Sequence, residues 1–234
     1  MYLELLKNCL LDNIYGSQHP DDRIASETEV EYGMYWPKRA HTMIGMKRLN
    51  NIQQCFETVV KNNIPGDMIE TGVWRGGCTI FMAALNKYYG QQRKVFVADS
   101  FEGLPPPDPK YAVDNGDTLH TYDFLRVSLD QVKENFSKYG LLEENVVFIK
   151  GFFEHSLKNA PIEKISILRL DGDMYSSTIQ VLEQLYDKVS EGGYIIIDDY
   201  ALNGCKVAVD DFRRLRNITS ELHEVDWTGR YWVK

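Results

Sequence analysis

The sequence predicts an α/β fold in which a mostly parallel sheet carries helices on both faces. Short apolar runs alternate with longer stretches whose apolar residues recur at helical spacing, which is the pattern of strand–helix–strand units. The apolar runs are nearly continuous rather than alternating, as expected for strands buried on both faces. Acidic residues close several of these runs, and in such folds ligands bind where the strands end.

The elements follow one another in a regular order along the chain. Strands are predicted over residues 68–72, 94–99, 145–149, 165–170 and 194–197, and helices over 79–89, 124–139 and 176–189. Residues 222–234 hold Trp227-Thr228-Gly229-Arg230 between two apolar runs and predict an antiparallel hairpin that closes the sheet. Residues 1–65 are predicted to form an N-terminal helical cap or lid region, and residues 66–234 the main domain. The long irregular stretch 101–123 contains three consecutive prolines and is typical of a lid or a disordered loop.

Composition excludes several classes of protein. The chain has 234 residues, of which 44% are hydrophobic and 26% charged, so it can bury a sizeable core. Its formal net charge of −8 opposes binding to nucleic acid or to an anionic membrane surface, and neither partner is expected. The four cysteines lack paired spacing, which indicates free thiols in a reducing compartment. No signal peptide or transmembrane run is recognisable, so a cytoplasmic location is expected.

A glycine-containing turn follows the first predicted strand. The segment Glu70-Thr71-Gly72-Val73-Trp74-Arg75-Gly76-Gly77 has neither the GxGxxG spacing of a dinucleotide site nor the GK[ST] ending of a P-loop. Its strand-end acid suits a ligand that carries an ammonium group and hydroxyls, such as S-adenosylmethionine. Asp99 ends the second strand, where an acid commonly accepts the ribose hydroxyls of an adenosine ligand. The turn alone is also compatible with simple tight packing of strand against helix.

Four aspartates end two further strands. Asp171 and Asp173 follow the fourth strand, and Asp198 and Asp199 follow the fifth. This much negative charge in one crevice is costly unless a cation neutralises it, and an all-oxygen ligand set without His or Cys favours Mg²⁺, Mn²⁺ or Ca²⁺ over zinc. A divalent cation beside a methyl donor can hold a hydroxyl oxygen and lower its pKa. Asp173 is the candidate general base if the other three bind the metal, although Asp171 and Asp173 could exchange or share roles.

With these motifs together, the chain resembles the macrocin O-methyltransferase (TylF-type) family of class I, Rossmann-like methyltransferases. The resemblance rests on the Glu70–Gly77 turn, on Asp99-Ser100-Phe101-Glu102-Gly103-Leu104-Pro105, on Leu168–Tyr175, on Gly193–Tyr200 and on the N-terminal segment Trp36–Gly45. It implies an Mg²⁺- and S-adenosylmethionine-dependent enzyme that methylates hydroxyls of natural products, on sugars or polyketide-type scaffolds. The acceptor is then a small molecule, and a homodimer is compatible with the sequence.

The resemblance also implies roles for individual residues. Cofactor contacts are expected from Glu70, Thr71, Gly72, Val73, Asp99, Ser100, Gly151, Phe152 and Asp171. Metal ligands are expected to be Asp171, Asp198 and Asp199, and catalytic roles fall to Asp171 and Asp173. Within these sets the Glu70–Gly72 segment would border the methionine part of the cofactor, Asp99 the ribose, and Gly151 and Phe152 the adenine.

Two other functions fit the same fold. An NAD-dependent oxidoreductase would bind nicotinamide cofactors, but the absence of GxGxxG opposes it. A non-catalytic regulatory protein would bind an adenosyl ligand without turnover. The acidic residues at the ends of two strands oppose this function, because a protein that only binds the ligand does not need a metal there. The sequence does not decide the acceptor, the regiochemistry or the oligomeric state.

Overall fold

The computed structural model describes all residues 1–234, and its centre is a seven-stranded sheet. In chain order the strands are β1 (Asp67–Thr71), β2 (Val95–Asp99), β3 (Val146–Lys150), β4 (Ile165–Leu170), β5 (Val189–Ile197), β6 (His223–Glu224) and β7 (Arg230–Val233). They lie side by side in the order β3-β2-β1-β4-β5-β7-β6. The pairs among β1 to β5 are parallel, and β7 runs antiparallel to both β5 and β6. The predicted α/β class and the closing hairpin are confirmed.

Eight α-helices cover the two faces of the sheet. They are α1 (Tyr2–Leu10), α2 (Glu27–Tyr32), α3 (Met46–Lys61), α4 (Gly77–Tyr88), α5 (Leu129–Lys138), α6 (Phe153–Ser156), α7 (Tyr175–Leu185) and α8 (Asn203–Leu215). Successive strand residues point to opposite faces, so Met68 joins the core formed with α1, α3, α4 and α5. Its neighbour Ile69 joins the separate core formed with α7 and α8. No helix is both long and apolar enough to span a lipid bilayer.

The N-terminal region packs directly on the sheet. Leu49, Ile52 and Phe56 of α3 are fully buried and belong to the same apolar cluster as Met68 of β1. The amphipathic pattern of α3 therefore continues the core of the main domain rather than building one of its own. The cap is in this way fixed against the face of the sheet that also carries α4.

Several element boundaries differ from the predicted ones. Helix α5 begins at Leu129 rather than at residue 124, because Ser128 caps it by accepting a hydrogen bond from the Gln131 amide at 3.3 Å. Strand β5 begins five residues early, at Val189, where its pairing with β4 shifts register. The stretch 101–123 contains the short 3₁₀ turns 112–114 and 119–121, and a third such turn follows at 123–125.

Candidate functional site

Two cavities open side by side at the carboxyl ends of the parallel strands. The inner cleft lies over β1, β2 and β4 and holds about 820 Å³ of empty space, including its part open to solvent. The outer cavity reaches from β4 and β5 to the cap and the C-terminal hairpin and holds about 1110 Å³, likewise including its open part. Both are lined by Asp171 and Asp173, and also by Met43 and Leu125. The two aspartates therefore stand on the border between the two spaces.

The inner cleft collects most of the residues predicted to contact a cofactor. Those that line it are Glu70, Gly72, Val73, Asp99, Ser100, Phe152 and Asp171. Thr71 does not line it, because its buried hydroxyl donates to the carbonyl oxygen of Arg169 at 3.3 Å. Gly151 also lies outside the lining, next to Phe152, whose ring is partly exposed.

The turn after β1 brings backbone from two strands into contact. Gly72 has a φ of +85°, and a Cβ built there would lie 1.6 Å from the carbonyl oxygen of Asp171. Only glycine fits, both for its backbone conformation and for this approach. The amide of Gly72 donates to the carbonyl of Ala98 at 2.9 Å, which ties the turn to β2. The ends of β1, β2 and β4 are thereby held together at the floor of the cleft.

Glu70 is buried at the floor of the inner cleft and forms an ion pair with Arg169. Burial raises the pKa of Glu70 to about 8, although the Arg169 guanidinium opposes the shift. Its Oε2 atom has no hydrogen-bond partner. A buried acceptor without a donor is costly, so this carboxylate suits a ligand that brings a cationic N–H group.

Asp99 ends β2 with both carboxylate oxygens in use. Oδ2 accepts from the Val73 amide at 2.8 Å, and Oδ1 accepts from the Phe101 amide at 2.7 Å. Burial raises the pKa of Asp99 in spite of these hydrogen bonds. Each carboxylate oxygen has a second acceptor site. Asp99 can therefore shape the turn and still accept a hydroxyl from a ligand in the cleft.

Three aspartates meet at the border of the two cavities. Asp171, Asp173 and Asp199 each present a carboxylate oxygen, and these oxygens all lie within 4.8 Å of one another. Burial is the main cause that raises the pKa of all three, to about 6 for Asp171 and well above the usual range for Asp173 and Asp199, and the charge of Asp198 adds to each shift. Asp173 has a φ of +58°, a conformation that costs energy for a residue other than glycine, and its amide donates to Asp199 Oδ2 at 3.1 Å.

The fourth predicted acid of this edge, Asp198, has a different environment. One oxygen accepts from Arg169 and the other from Arg48, which reaches it from α3. Burial acts to raise the pKa of Asp198, but the two guanidinium groups outweigh it and lower the pKa. Asp198 is thus neutralised by two guanidinium groups, whereas Asp171 shares Arg169 with two other acids and Asp173 and Asp199 have no ion-pair partner, so that the cluster carries surplus negative charge. The structure places Asp173, rather than Asp198, in the cluster with the other two.

The chemistry of the cluster fits a hard divalent cation. Its donors are carboxylate oxygens only, and neither histidine nor cysteine belongs to it. Burial, and after it the charge of neighbouring aspartates, raises the pKa of Asp173 and Asp199 and so disfavours their charged forms. A bound Mg²⁺ or Mn²⁺ would offset this neighbouring negative charge.

An aromatic column runs from the cap to the rim of the inner cleft, and the sequence motifs did not indicate it. Trp36 of the cap stacks on Phe124 with ring centroids 5.3 Å apart, and Phe124 also packs against Trp74 at 5.4 Å. The Trp74 indole donates to the Phe124 carbonyl oxygen at 2.9 Å. Because Trp74 belongs to the turn after β1, this column joins the cap and the segment after the insertion to the rim of the inner cleft. Its members lie far apart in sequence, so only the aromatic residue types hinted at it.

Comparison with known proteins identifies the family of the chain that carries this site. Residues 17–234 match the family described as Macrocin-O-methyltransferase (TylF). The chain belongs to the macrocin O-methyltransferase family. Membership makes the protein an O-methyltransferase and confirms the resemblance found in its motifs.

Characterised relatives of this O-methyltransferase are similar over nearly the whole chain. It is 44% identical to the 8-demethyl-8-(2,3-dimethoxy-alpha-L-rhamnosyl)-tetracenomycin-C 4'-O-methyltransferase of Streptomyces olivaceus, an alignment that covers 99% of this chain and 92% of the relative. It is 43% identical to the mycinamicin III 3''-O-methyltransferase of Micromonospora griseorubida, with 99% and 95% covered.

Solved structures agree with the fold. The O-methyltransferase NovP superposes with a TM-score of 0.96 at 44% identity, over 100% of this chain and 98% of NovP. The calicheamicin methyltransferase CalS11 shares the fold at 19% identity, with a TM-score of 0.68 over 98% of this chain and 91% of its own. The class I methyltransferase architecture predicted for this family member is confirmed.

Proposed function

We propose that this O-methyltransferase transfers a methyl group from S-adenosylmethionine to a sugar hydroxyl of a glycosylated natural product, with the help of Mg²⁺ or Mn²⁺. One observation carries the proposal: two cavities of ligand size share a wall, and an acidic cluster lies on that wall. Such an arrangement accommodates a methyl donor on one side, an acceptor on the other and a cation between them.

The inner cleft supports the assignment of the donor. The unpartnered Oε2 of Glu70 offers a site for the ammonium group of the methionine part. The narrow backbone turn at Gly72 lets that part approach closely. Asp99 lies at the end of the neighbouring strand, where it would accept the ribose hydroxyls, and the partly exposed ring of Phe152 would lie against the adenine.

The acidic cluster supports the assignment of the cation. Asp171 and Asp199 would hold it, and it would lower the pKa of an acceptor hydroxyl beside it. Asp173 stands in the same cluster at the border of both cavities, and it would take the proton of that hydroxyl as general base. Asp198, engaged by two arginines, would instead fix the strand end that carries Asp199.

The remaining contribution of the protein is positioning. Methyl transfer requires the acceptor oxygen, the methyl carbon and the sulfur to be nearly in line at close contact. The Gly72 turn fixes the inner cleft to Asp171 through direct backbone contact, so the donor end and the acceptor end are held in one rigid frame. The aromatic column of Trp36, Phe124 and Trp74 would exclude water from the inner cleft.

The acceptor class is proposed from the relatives together with the shape of the outer cavity. Two relatives are named for methylation at 4'-O of a rhamnosyl tetracenomycin and at 3''-O of mycinamicin III. The outer cavity of this chain has acids at its base and apolar side chains, such as Met34, Leu202 and Trp227, towards solvent. A sugar that carries an apolar aglycone matches this polarity.

Turnover tests the whole proposal. The purified protein is incubated with S-adenosylmethionine, Mg²⁺ and either mycinamicin III or the rhamnosyl tetracenomycin for which the first relative is named, and methylated product is sought by mass spectrometry. We expect product with at least one glycosylated acceptor, loss of product in EDTA and recovery with Mg²⁺. Full activity in chelator would remove the cation from the mechanism. Cofactor binding without turnover on any glycosylated acceptor would favour a regulatory protein.

A matched pair of variants tests the ligand assignment. Asp199→Asn should abolish measurable Mg²⁺ binding, because it removes a carboxylate of the surplus negative cluster. Asp198→Asn should retain binding at reduced affinity, because Asp198 is already paired with Arg48 and Arg169. Isothermal titration with Mg²⁺ measures both. If Asp198→Asn is the more damaging change, the original sequence-based ligand set that includes Asp198 is the better one.

A further inference from the structure

One guanidinium group joins the two ends of the site. Arg169 of β4 is completely buried, and its Nη1 donates both to Glu70 and, at 2.8 Å, to Asp171 Oδ2. Its Nη2 donates to Asp198. Glu70 lines only the inner cleft, Asp198 lines only the outer cavity, and Asp171 lines both. The side chain of Arg169 therefore contacts an acid from each compartment and the one between them.

The charges around Arg169 are unevenly balanced. Glu70, Asp171 and Asp198 share the single positive charge of Arg169, and Asp198 alone forms a second ion pair, with Arg48. Two atoms of the network have no hydrogen-bond partner, namely Glu70 Oε2 and Arg169 Nε. A buried network that is incompletely satisfied responds to any new charge at its edge, because the low local dielectric strengthens each interaction. A cation that binds Glu70 changes the strength of the hydrogen bond from Arg169 Nη1 to Glu70. Because the same Nη1 donates to Asp171, the hydrogen bond to Asp171 changes as well.

An arginine is suited to this position, and a lysine is not. The planar guanidinium presents several donors in fixed directions and can serve three carboxylates at once, whereas an ammonium group is a single point of charge. No other cation contacts Glu70 or Asp171. The ion-pair connection between Glu70 and Asp171 therefore runs through this one side chain.

We propose that Arg169 is a positioning residue that couples the occupancy of the inner cleft to divalent-cation binding at Asp171. The inference rests on the proposed function, since it takes the ammonium group of the cofactor to lie at Glu70 and the cation at the acidic cluster. It adds a role for a residue that lines neither cavity. Because Nη1 of Arg169 donates to both Glu70 and Asp171, a ligand that binds at Glu70 alters the hydrogen bond from Arg169 to Asp171.

Isothermal titration tests the coupling. Mg²⁺ is titrated into the full-length protein saturated with S-adenosylhomocysteine, which carries the ammonium group, and into protein saturated with 5'-methylthioadenosine, which lacks the amino-acid part. We expect the two Mg²⁺ dissociation constants to differ by about fivefold or more, the lower end of ordinary coupling between sites. The two ligands share the adenosine and the thioether, so the comparison isolates the group that reaches Glu70.

Variants locate the coupling in Arg169. In Arg169→Lys and in Glu70→Gln the two dissociation constants should agree within about twofold, because the divided hydrogen bond is lost. Glu70→Gln preserves the size of the side chain and keeps the test valid if Arg169→Lys fails to fold. Arg216→Lys is the matched control, since Arg216 pairs with Asp187 at the exposed surface and should leave the wild-type difference intact.

The outcomes separate this inference from the function on which it rests. Equal Mg²⁺ affinities with both ligands in the wild-type protein overturn the coupling and leave the metal-dependent function standing. An unchanged difference in Arg169→Lys or Glu70→Gln removes Arg169 from the coupling. Failure of the wild-type protein to bind Mg²⁺ at all overturns both the metal-dependent function and the coupling.

Discussion

At Gly72, one missing side chain decides whether the site can form. Its positive φ excludes most residues, and the carbonyl of Asp171 occupies the space that a Cβ would need. Gly90, at the end of α4, also has a positive φ of +62°, but nothing lies within 4 Å of the position of its Cβ. The two glycines therefore separate the cost of backbone conformation from the cost of a steric clash.

Replacement of each glycine by alanine measures these two costs. Gly90→Ala should lower the free energy of unfolding by about 1 to 2 kcal/mol, the cost of a left-handed backbone for a residue with a Cβ. Gly72→Ala should lower it by at least twice as much and should abolish binding of S-adenosylhomocysteine, because β1 and β4 must separate at the floor of the cleft. Urea unfolding and calorimetric titration measure the effects. Equal losses in the two variants would show that the clash is relieved without cost.

The acidic cluster gives the unliganded protein a pH-dependent stability. Burial raises the pKa of Asp173 and Asp199 well above the usual range and that of Glu70 to about 8. A carboxyl group whose folded pKa lies above its unfolded value binds protons more tightly in the folded state, so stability is lost as the pH rises towards the folded pKa. His41, whose buried ring has its pKa lowered to about 4, acts in the opposite direction only below its ordinary value of 6.5.

We therefore expect the free energy of unfolding of the chelator-treated protein to fall by roughly 1 kcal/mol or more between pH 6.5 and pH 8. Saturating Mg²⁺ should reduce this slope, and Asp199→Asn should reduce it without metal. Chemical denaturation at several pH values provides the measurement. A stability that rises across this interval would contradict the assignment of surplus negative charge to the cluster.

At the scale of elements, the insertion is held by a helix that follows it much later in the chain. Asp114, in the 3₁₀ turn 112–114, is buried and accepts from the amides of Tyr175 and Ser176 at 2.8 and 2.9 Å. These are the first residues of α7, whose own N-cap residue, Met174, offers no side-chain hydrogen bond. A carboxylate at a helix N-terminus satisfies free amides and favours the helix dipole. The insertion is in this way anchored beside the acidic cluster.

Loss of the Asp114 carboxylate should affect both the insertion and helix α7. Asp114→Ala is expected to lower the free energy of unfolding by about 1 to 2 kcal/mol and to speed proteolytic cleavage within residues 105–125. Asp123→Ala is the control, because Asp123 is exposed and pairs only with Arg126 at 3.2 Å, an interaction worth little. Cleavage at the same rate in both variants would mean that Asp114 does not anchor the insertion.

The same example shows what the sequence could and could not predict. Continuous apolar runs are a local signal and predict the strands, and Glu70, Asp99, Asp171 and Asp199 stand out in the sequence because they lie at the ends of those runs. The partner of Asp114 lies 61 residues away, and that of Arg169 on β1 lies 99 residues away, so no local pattern reports them. The position of Asp198 was predicted, but its pairing with Arg48 depends on how the cap packs, which local patterns do not encode.

At the scale of the whole molecule, Arg48 joins three distant parts of the chain. From α3 it donates to Asp198 at the end of β5 and, at 2.9 Å, to Asp226 in the C-terminal hairpin. All three side chains are almost completely buried. A buried ion pair adds modest stability when complete, but removal of one partner leaves an uncompensated charge in the interior.

Removal of the buried Arg48 ion pairs should lower the stability of the fold far more than removal of a surface ion pair of the cap. Arg48→Ala is expected to lower the free energy of unfolding by about 3 to 5 kcal/mol. Arg39→Ala removes a half-exposed pair with Asp12 and should cost less than about 1 kcal/mol. Guanidinium unfolding followed by circular dichroism compares the two. Similar losses would show that water reaches Asp198 and Asp226 when the guanidinium is absent.

The position of Asp226 in the chain has a consequence for folding. Asp226 lies 178 residues after its partner Arg48, and β7, which follows it, lies between β5 and β6 rather than at the rim of the sheet. Contacts between residues so far apart in sequence form slowly, because the intervening chain must first be ordered. The aspartates at the ends of β4 and β5 therefore reach their final surroundings only when the hairpin has docked against α3.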